Sequence, residues 1–101
     1  MLDNYCVDLR NQALLDLENI YQYIAGTLLE PAVASRLVEQ IEEAIYSLET
    51  MPYRGSERKH GIYADKGYRQ LFVANYTVIY TIEEAQKQVI IITIRHSASN
   101  F

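Results

Sequence analysis

The sequence predicts an α+β fold, in which an N-terminal strand and an antiparallel helical hairpin precede an antiparallel β-meander. A short alternation of apolar and polar residues comes first, two helical periodicities follow, and a period of two governs the second half. The chain has 101 residues, the length of one domain, so we expect a single domain over residues 1–101. Neither the hairpin nor the sheet can bury its apolar face alone, and the helices must therefore cover one face of the sheet.

The first strand and the first helix are separated by a change of period. Residues 4–10 alternate in the way typical of a half-buried strand. From about Gln12, apolar residues recur at spacings of three and four, which predicts an amphipathic helix with Asn11 as its N-cap. The buried stripe is expected to contain Leu14, Leu17, Tyr21, Ile24 and Leu28, widened by Ala13 and Ile20.

A second helix is predicted from Pro31 to Met51. Proline is favoured at the first helical position because its missing N–H would have no helical partner there, and Pro52 ends the segment. The expected buried positions are Ala34, Leu37, Val38, Ile41, Ile45 and Leu48. The opposite face carries Glu39, Glu42, Glu43 and Glu49, which accounts for much of the acidic charge in this half.

Three strands are predicted in the second half, over residues 68–73, 76–82 and 88–95. Ala74 and Asn75 suit a tight hairpin turn, and residues 83–87 a longer one. Residues 89–92 are apolar on both faces, which favours an interior strand. Residues 60–65 are a candidate for a further short strand, and Tyr76 and Tyr80 are expected to be core aromatics.

Composition excludes several classes of protein. Half of the residues are hydrophobic and 22% are charged, which argues against disorder. The single cysteine, Cys6, excludes an internal disulfide and a cysteine-based zinc site. The first five residues lack the features of a secretory signal, and the longest apolar run is too short to span a bilayer. We therefore expect a cytoplasmic protein with no membrane contact.

The net charge of −4 is unevenly distributed along the chain. Residues 1–53 contain two basic and nine acidic residues, a net charge of −7. Residues 54–101 contain seven basic and four acidic residues, a net charge of +3. This asymmetry fits an anionic partner for the second half, and it fits equally well a chain whose helices have solvated acidic faces.

The sequence contains no phosphate-binding glycine loop, metal-ligand cluster or nucleophile elbow, so no cofactor and no metal are expected. The remaining candidates are basic and aromatic residues of the second half. Arg69 shares a strand face with Leu71 and Val73 and needs either a carboxylate or carbonyl partner or a target. His96, at a strand end, is either structural or functional. The full set of candidates is Arg54, Arg58, Arg69, Arg95, His96 and Phe101. Of these, Phe101 is the residue whose presence core packing explains least, since terminal residues are often disordered.

Several segments resemble the ParE/RelE toxin superfamily. They are residues 13–24 (ALLDLENIYQYI), the Pro31-Ala32 helix start, residues 47–52 (SLETMP), residues 68–80 (YRQLFVANYTVIY) and the closing Ile94-Arg95-His96. The resemblance covers nearly the whole chain. It implies the toxin of a type II toxin–antitoxin module, with roles in growth arrest and plasmid stabilisation, that is neutralised by a cognate antitoxin.

The superfamily includes two modes of action. RelE-like members cut mRNA on the ribosome, and for this chain that would imply His96 for proton transfer with Arg58, Arg69 and Arg95 around the phosphate. ParE-like members inhibit DNA gyrase and need no catalytic set. Where the RelE-like pattern has an arginine, this chain has the neutral Thr77. We therefore expect a gyrase inhibitor, not an enzyme; the alternatives are a metal-independent mRNA endoribonuclease and a non-toxic diverged member.

The end of the sequence also bears on this choice. Residues 95–98 (RHSA) resemble ParE-like endings, although the aromatic–proline pair that normally follows in those proteins is missing. The six candidate residues above are expected to contact the target or the antitoxin. The antitoxin is expected to cover an apolar groove with an amphipathic helix and an extended segment, acidic where it covers Arg69 and Arg95. A homodimer through the helical hairpin, or a toxin–antitoxin hetero-oligomer, is compatible with the sequence.

Overall fold

The computed structural model describes residues 4–101 and has the expected α+β architecture. The elements are, in order, β1 (Cys6–Leu9), α1 (Asn11–Gln22), α2 (Pro31–Tyr46), β2 (Ser56–Glu57), β3 (Arg69–Val73), β4 (Tyr76–Glu83) and β5 (Gln88–His96). Met1, Leu2 and Asp3, part of the stretch read for a secretory signal, lie outside the described residues. No helix within residues 4–101 is long and apolar enough to cross a membrane.

The strands form one sheet in the order β1-β5-β4-β3-β2. The three pairs formed by β2 to β5 are antiparallel, whereas β1 pairs with β5 in parallel. The interior position predicted for residues 89–92 is confirmed, since β5 lies between β1 and β4. The β1 ladder ends at the pair of Leu9 with Ile91, so no strand within residues 4–101 lies beside the last part of β5 on that edge.

The hydrophobic core lies between the sheet and the two helices. Tyr80 is fully buried there, and its hydroxyl donates to the Pro52 carbonyl at 2.8 Å and accepts from the Gly55 N–H at 3.2 Å. Tyr76 is half-buried at the edge of the core, as expected for a core aromatic. Fully burying one large apolar side chain contributes about 1.5–3 kcal/mol. The core includes Ala13, Leu17, Ile20, Ala34, Ile41, Ile45, Leu48, Leu71, Val78, Val89 and Ile91.

The buried stripe of α1 differs from the predicted one. Leu14 and Leu28 are about half exposed, and the buried positions are Ala13, Leu17, Ile20 and Ile24. The reason is the anchoring of Asp16, whose carboxylate accepts from the Ile94 N–H at 2.9 Å and also from the Thr93 hydroxyl. Side chains two positions apart in the sequence of a helix point about 200° away from each other. Fixing Asp16 toward β5 therefore turns Leu14 to the solvent.

The ends of the helices also differ from the prediction. Arg10, not Asn11, is the N-cap of α1, because its N–H donates to the Ile91 carbonyl and keeps this residue extended. A π-helical turn, Tyr23–Thr27, follows α1. Pro31 does begin α2, but the α-helix ends at Tyr46 and a 3₁₀ turn, Ser47–Glu49, continues it.

The prediction of a short strand over residues 60–65 is wrong. Gly61–Tyr63 is a 3₁₀ turn, and the additional short strand is β2, which pairs with the start of β3. Gly61 has a φ of +73°, in the left-handed region, and this conformation interrupts the extended backbone that a strand would need.

Candidate functional site

The outer face of the sheet, the face turned away from the helices, carries Thr77, the residue on which the sequence-based choice between the two modes of action rests. Leu71, Val73 and Val78 point into the core, so their strand neighbours Phe72 and Thr77 point outward. Thr77 is only 1% exposed, and its hydroxyl lies 2.8 Å from the Ser97 hydroxyl. At this position the protein therefore has a neutral, buried and hydrogen-bonded side chain.

Arg58 lies in the segment between β2 and β3 and is 9% exposed. Its guanidinium donates from Nε to the His60 carbonyl at 2.9 Å, from Nη1 to Gln70 Oε1 at 2.9 Å and from Nη2 to the Phe101 main-chain oxygen at 2.8 Å. Each of its three nitrogens thus has a partner. The backbone of this segment is fixed to the sheet by the bond from the Arg58 N–H to the Tyr68 carbonyl.

Phe101, which packing had not explained, is buried, with 8% of its surface exposed. The Arg58 Cζ lies 4.4 Å from the centre of its ring and the Arg95 Cζ 5.7 Å, both at distances of cation–π contact. We call the segment Ser97–Phe101 the clasp. The clasp brings Arg58 and Arg95 together, although the two residues belong to distant parts of the sequence.

Arg69 and Arg54 lie near the start of β3 and not with the clasp. Arg69 donates from Nη2 to the carbonyls of Tyr53 at 3.1 Å and Gly55 at 2.5 Å, and its Cζ lies 5.2 Å from the centre of the Tyr53 ring. Carbonyl groups therefore supply partners for Nη2, whereas the buried Nε has no hydrogen-bond partner among the residues that the structure describes. Arg54 is exposed and donates to the Ser47 hydroxyl at 2.6 Å.

His96, the last residue of β5, stands at the rim of a cleft of about 320 Å³ between α1 and the free edge of this strand. Its ring packs edge-on against the Tyr76 ring with 5.3 Å between centres, and Nδ1 accepts from the Ala98 N–H at 3.2 Å. The cleft is lined by Asp16, Asn19, Ile20, Tyr23, Tyr76, Ile94, Arg95 and His96.

The predicted site residues therefore occupy separate places. Arg58, Arg95 and Phe101 meet on the outer face, whereas Arg69 is on the helix-facing side of β3. Arg69 pairs with Tyr80 and His96 with Tyr76. These ladder positions are four residues apart along β4, about 13 Å at the rise of a strand, so the backbones of Arg69 and His96 are not adjacent on this face of the sheet.

A tyrosine–carboxylate cluster at the opposite end of the sheet was not among the candidates. Glu84 accepts from the Tyr5 hydroxyl at 2.6 Å, the Tyr53 hydroxyl at 2.5 Å and Lys87 Nζ at 2.6 Å. These bonds, that of Lys87 first, lower the pKa of Glu84 to about 2, and the carboxylate in turn raises the pKa of both tyrosines and of Lys87. Nothing in the sequence marks Tyr5 and Glu84, which are 79 residues apart, as neighbours.

The cluster joins three parts of the chain: the residue before β1, the loop after α2 and the turn between β4 and β5. Lys87 Nζ also lies 5.1 Å from the centre of the Tyr5 ring. Within residues 4–101, no group of three or more histidine, cysteine, aspartate or glutamate side chains is arranged to hold a metal ion. The hydrogen bonds of Glu84 fasten these three parts of the chain to one another.

Comparison with protein families identifies the chain. Residues 7–101 match the family model described as the ParE toxin of the type II toxin–antitoxin system parDE. The chain belongs to the ParE toxin family. No curated protein sequence matches this ParE-family chain.

Solved structures show that the fold is that of ParE and RelE toxins. A chain of the chromosomal ParDE system from P. aeruginosa is 21% identical, with a TM-score of 0.76 over 93% of this chain and 97% of that one. The RelBE2 toxin–antitoxin complex from Mycobacterium tuberculosis is 21% identical, with a TM-score of 0.64 over 98% of each chain. An arginine double mutant of E. coli RelE in the free state is 14% identical, with a TM-score of 0.64 over 94% of this chain and 85% of that one. At these identities, the similarity concerns the fold.

Proposed function

We propose that this ParE-family protein arrests growth by binding and inhibiting DNA gyrase, and that it is not a nuclease. Thr77 is the observation that carries the proposal. Cleavage of RNA through its 2′-hydroxyl needs a proton acceptor, a proton donor and cations at the developing negative charge. A buried threonine that is hydrogen-bonded to Ser97 supplies no positive charge.

The arrangement of the arginines supports the same proposal. Arg58 uses its three nitrogens within the protein, and Arg69 faces the helix side of the sheet about 13 Å from His96 along the ladder. Preorganised cations stabilise a transition state only when they point at the place where the charge develops. The overall charge of −4 also opposes association with the phosphate backbone of RNA.

A supercoiling assay tests the proposal directly. Purified protein is added to gyrase, ATP and relaxed plasmid, and we expect a dose-dependent loss of supercoiling or an accumulation of cleaved plasmid. Normal supercoiling at a molar excess of folded protein would remove gyrase as the target.

An exposed arginine offers a matched pair of variants for locating the contact surface. Arg54→Ala removes one charge from the basic half of the chain, and Arg36→Ala removes the same charge from the exposed face of α2. We expect Arg54→Ala to weaken gyrase inhibition several-fold and Arg36→Ala to leave it unchanged. Equal effects would assign the loss to net charge and not to a specific contact.

The mRNA endoribonuclease is the second candidate, and the position of His96 favours it. This exposed histidine stands at the rim of the cleft, beside Arg95. If the protein cleaved ribosome-bound mRNA and His96→Ala abolished the cleavage without unfolding the protein, this candidate would replace gyrase inhibition. A protein that neither inhibits gyrase, cleaves mRNA nor slows growth on induction would be a non-toxic diverged member.

We propose that a cognate antitoxin covers the outer surface of the helical hairpin. Several large apolar side chains are exposed there: Leu14 and Leu15 on α1, Leu28 and Leu29 in the connection, and Val33 on α2. Glu18, Glu39 and Glu43 are exposed on the same two helices, so a segment lying on them should carry basic residues beside its apolar ones. A segment reaching Arg95 should be acidic.

Calorimetry with the protein encoded by the neighbouring reading frame tests this partner. Leu28→Glu places a charge in the apolar surface and should weaken binding at least tenfold, whereas Ile62→Glu, which alters a still more exposed side chain outside the hairpin, should not. Equal affinities for both variants would exclude the hairpin surface. A homodimer through the same surface stays a prediction, and sedimentation of the protein alone tests it.

A further inference from the structure

The clasp is exposed along most of its length and buried only at its last residue. Ser97, Ala98, Ser99 and Asn100 are exposed, whereas Phe101 is 8% exposed. A single aromatic side chain is therefore held in a site made by other parts of the protein, in the way that a bound peptide is anchored by one residue.

We propose that Arg58, Arg95 and Gly61 form a binding site for an aromatic residue of a peptide, and that Phe101 of the same chain is the ligand that fills it. The clasp is then a tethered ligand that closes the site. This inference does not depend on the gyrase proposal, because it concerns contacts within the protein.

The guanidinium of Arg58 makes two different contacts with the ligand. Its Nη2 donates to the Phe101 main-chain oxygen at 2.8 Å, and its Cζ lies 4.4 Å from the centre of the phenyl ring. A planar guanidinium can donate at its edge and stack on an aromatic face at the same time. The site thus recognises both the side chain and the backbone of the residue that it binds.

Half of this site is organised without the ligand. Arg58 is also held by the His60 carbonyl and by Gln70 Oε1, each at 2.9 Å, and neither bond involves the clasp. Because neither bond needs Phe101, we expect the guanidinium to stay oriented toward the site when Phe101 is removed. A preorganised site binds without first losing the conformational freedom of its own groups.

Gly61 lets the ligand approach the backbone closely. A Cβ atom at this position would lie 1.8 Å from the Phe101 main-chain oxygen, and the φ of +73° is itself one that glycine adopts readily. Any other residue at position 61 would collide with the bound main chain, so this glycine is part of the site.

The clasp is fastened at its other end. The Ser97 N–H donates to the Asn75 carbonyl at 2.7 Å, and the Ser99 N–H donates to the His96 carbonyl at 2.9 Å. Only Asn100 separates this fastened part from Phe101. A ligand on so short a tether has a high effective concentration at its site and excludes weak competitors.

The experiment removes the tethered ligand and supplies it separately. The 101-residue Phe101→Ala variant is titrated with an acetylated peptide of the clasp sequence, Ser-Ala-Ser-Asn-Phe, and the arginine Nε–Hε signals are followed by NMR. We expect saturable shifts at Arg58 and Arg95 in this variant and none in the wild type, where Phe101 occupies the site. The same peptide with alanine in place of phenylalanine should cause no shifts.

Two further variants show whether the effect belongs to this site. Phe72 lies on the same face of the sheet and is 60% exposed. Phe72→Ala removes this ring but leaves Phe101 in place, so this variant should behave like the wild type. Adding Gly61→Ala to Phe101→Ala should abolish binding of the peptide. The inference would be overturned by shifts of equal size in the wild type, or by no saturable shift in a Phe101→Ala protein whose spectrum shows it to be folded.

Discussion

Single residues determine which charges on this protein are available to a partner. Thr77 is buried and neutral, and its hydroxyl is satisfied by Ser97. Arg58 is charged, but each of its three nitrogens already donates within the protein. Counting arginines in the sequence therefore overstates the cationic groups that a phosphate could meet, because burial and hydrogen bonding are not visible in a count.

Glu84 should make the stability of the protein depend on pH in the acid range. Its pKa is lowered from 4.5 to about 2 by the hydrogen bonds from Lys87, Tyr5 and Tyr53, with Lys87 the largest cause. A lowered pKa stabilises the folded state fully above the ordinary value of 4.5, and this stabilisation is lost as the pH falls through about 2. We expect the free energy of unfolding in urea to fall in this window more steeply for the wild type than for Glu84→Gln.

Glu83→Gln is the matched control for this measurement, because the same change is made at the adjacent residue outside the cluster. Its pH profile should keep the slope of the wild type. Parallel profiles for the wild type and Glu84→Gln would show that the cluster does not persist in solution.

Tyr80→Phe should destabilise the protein through the loss of one oxygen atom. The Tyr80 hydroxyl donates to the Pro52 carbonyl and accepts from the Gly55 N–H, and both hydrogen bonds lie at or near the core. Leaving a buried backbone group without a partner costs about 1–3 kcal/mol. A urea titration should show this loss for Tyr80→Phe and almost none for Tyr46→Phe, whose side chain is exposed; equal stabilities would contradict the assignment.

At the scale of elements, the sequence predicts the type of each helix and long strand because hydrophobic period depends on local residues alone. The rotation of α1 is different. Both Leu14 and Ala13 fit a helical spacing, and the hydrogen bonds of Asp16 with β5 select Ala13 for the core. The choice of the buried stripe thus depends on a partner 78 residues away. The hydrophobic period of α1 carries no information about that partner.

The segment between β2 and β3 yields a prediction that compares two glycines. Gly61 and Gly67 both have positive φ, so replacing either with alanine costs about 1–2 kcal/mol for the left-handed conformation. Alanine at position 61 also collides with the Phe101 main-chain oxygen, whereas at position 67 the space is open. We expect Gly61→Ala to lower the thermal midpoint more than Gly67→Ala; equal midpoints would show that the close approach has no energetic effect.

At the scale of the whole molecule, the layers of the fold can be predicted from the sequence, but the contacts between residues far apart in the chain cannot. The helical hairpin on an antiparallel sheet follows from amphipathic faces that must be covered. The clasp and the Glu84 cluster arise where distant parts meet: Phe101 lies under Arg58, and Tyr5 bonds to Glu84. Such contacts depend on strand order and register, which composition and spacing leave open.

The acidic and basic halves of the chain become two surfaces in the folded protein. The glutamates of the first half are exposed on and beside the two helices, and the arginines of the second half lie on and around the sheet. One surface thus suits a basic, apolar segment and the other an anionic one, as the proposed antitoxin and the proposed target would require.

The central claim is that the protein binds its target and does not cut RNA, and a translation reaction tests it most directly. Purified protein is added in excess to ribosomes translating a defined mRNA, and the length of the transcript is followed by primer extension. We predict full-length mRNA, because the buried, neutral Thr77 supplies no positive charge at the position where the RelE-like pattern has an arginine. Cleavage at the ribosomal A site that His96→Ala abolishes would contradict the claim.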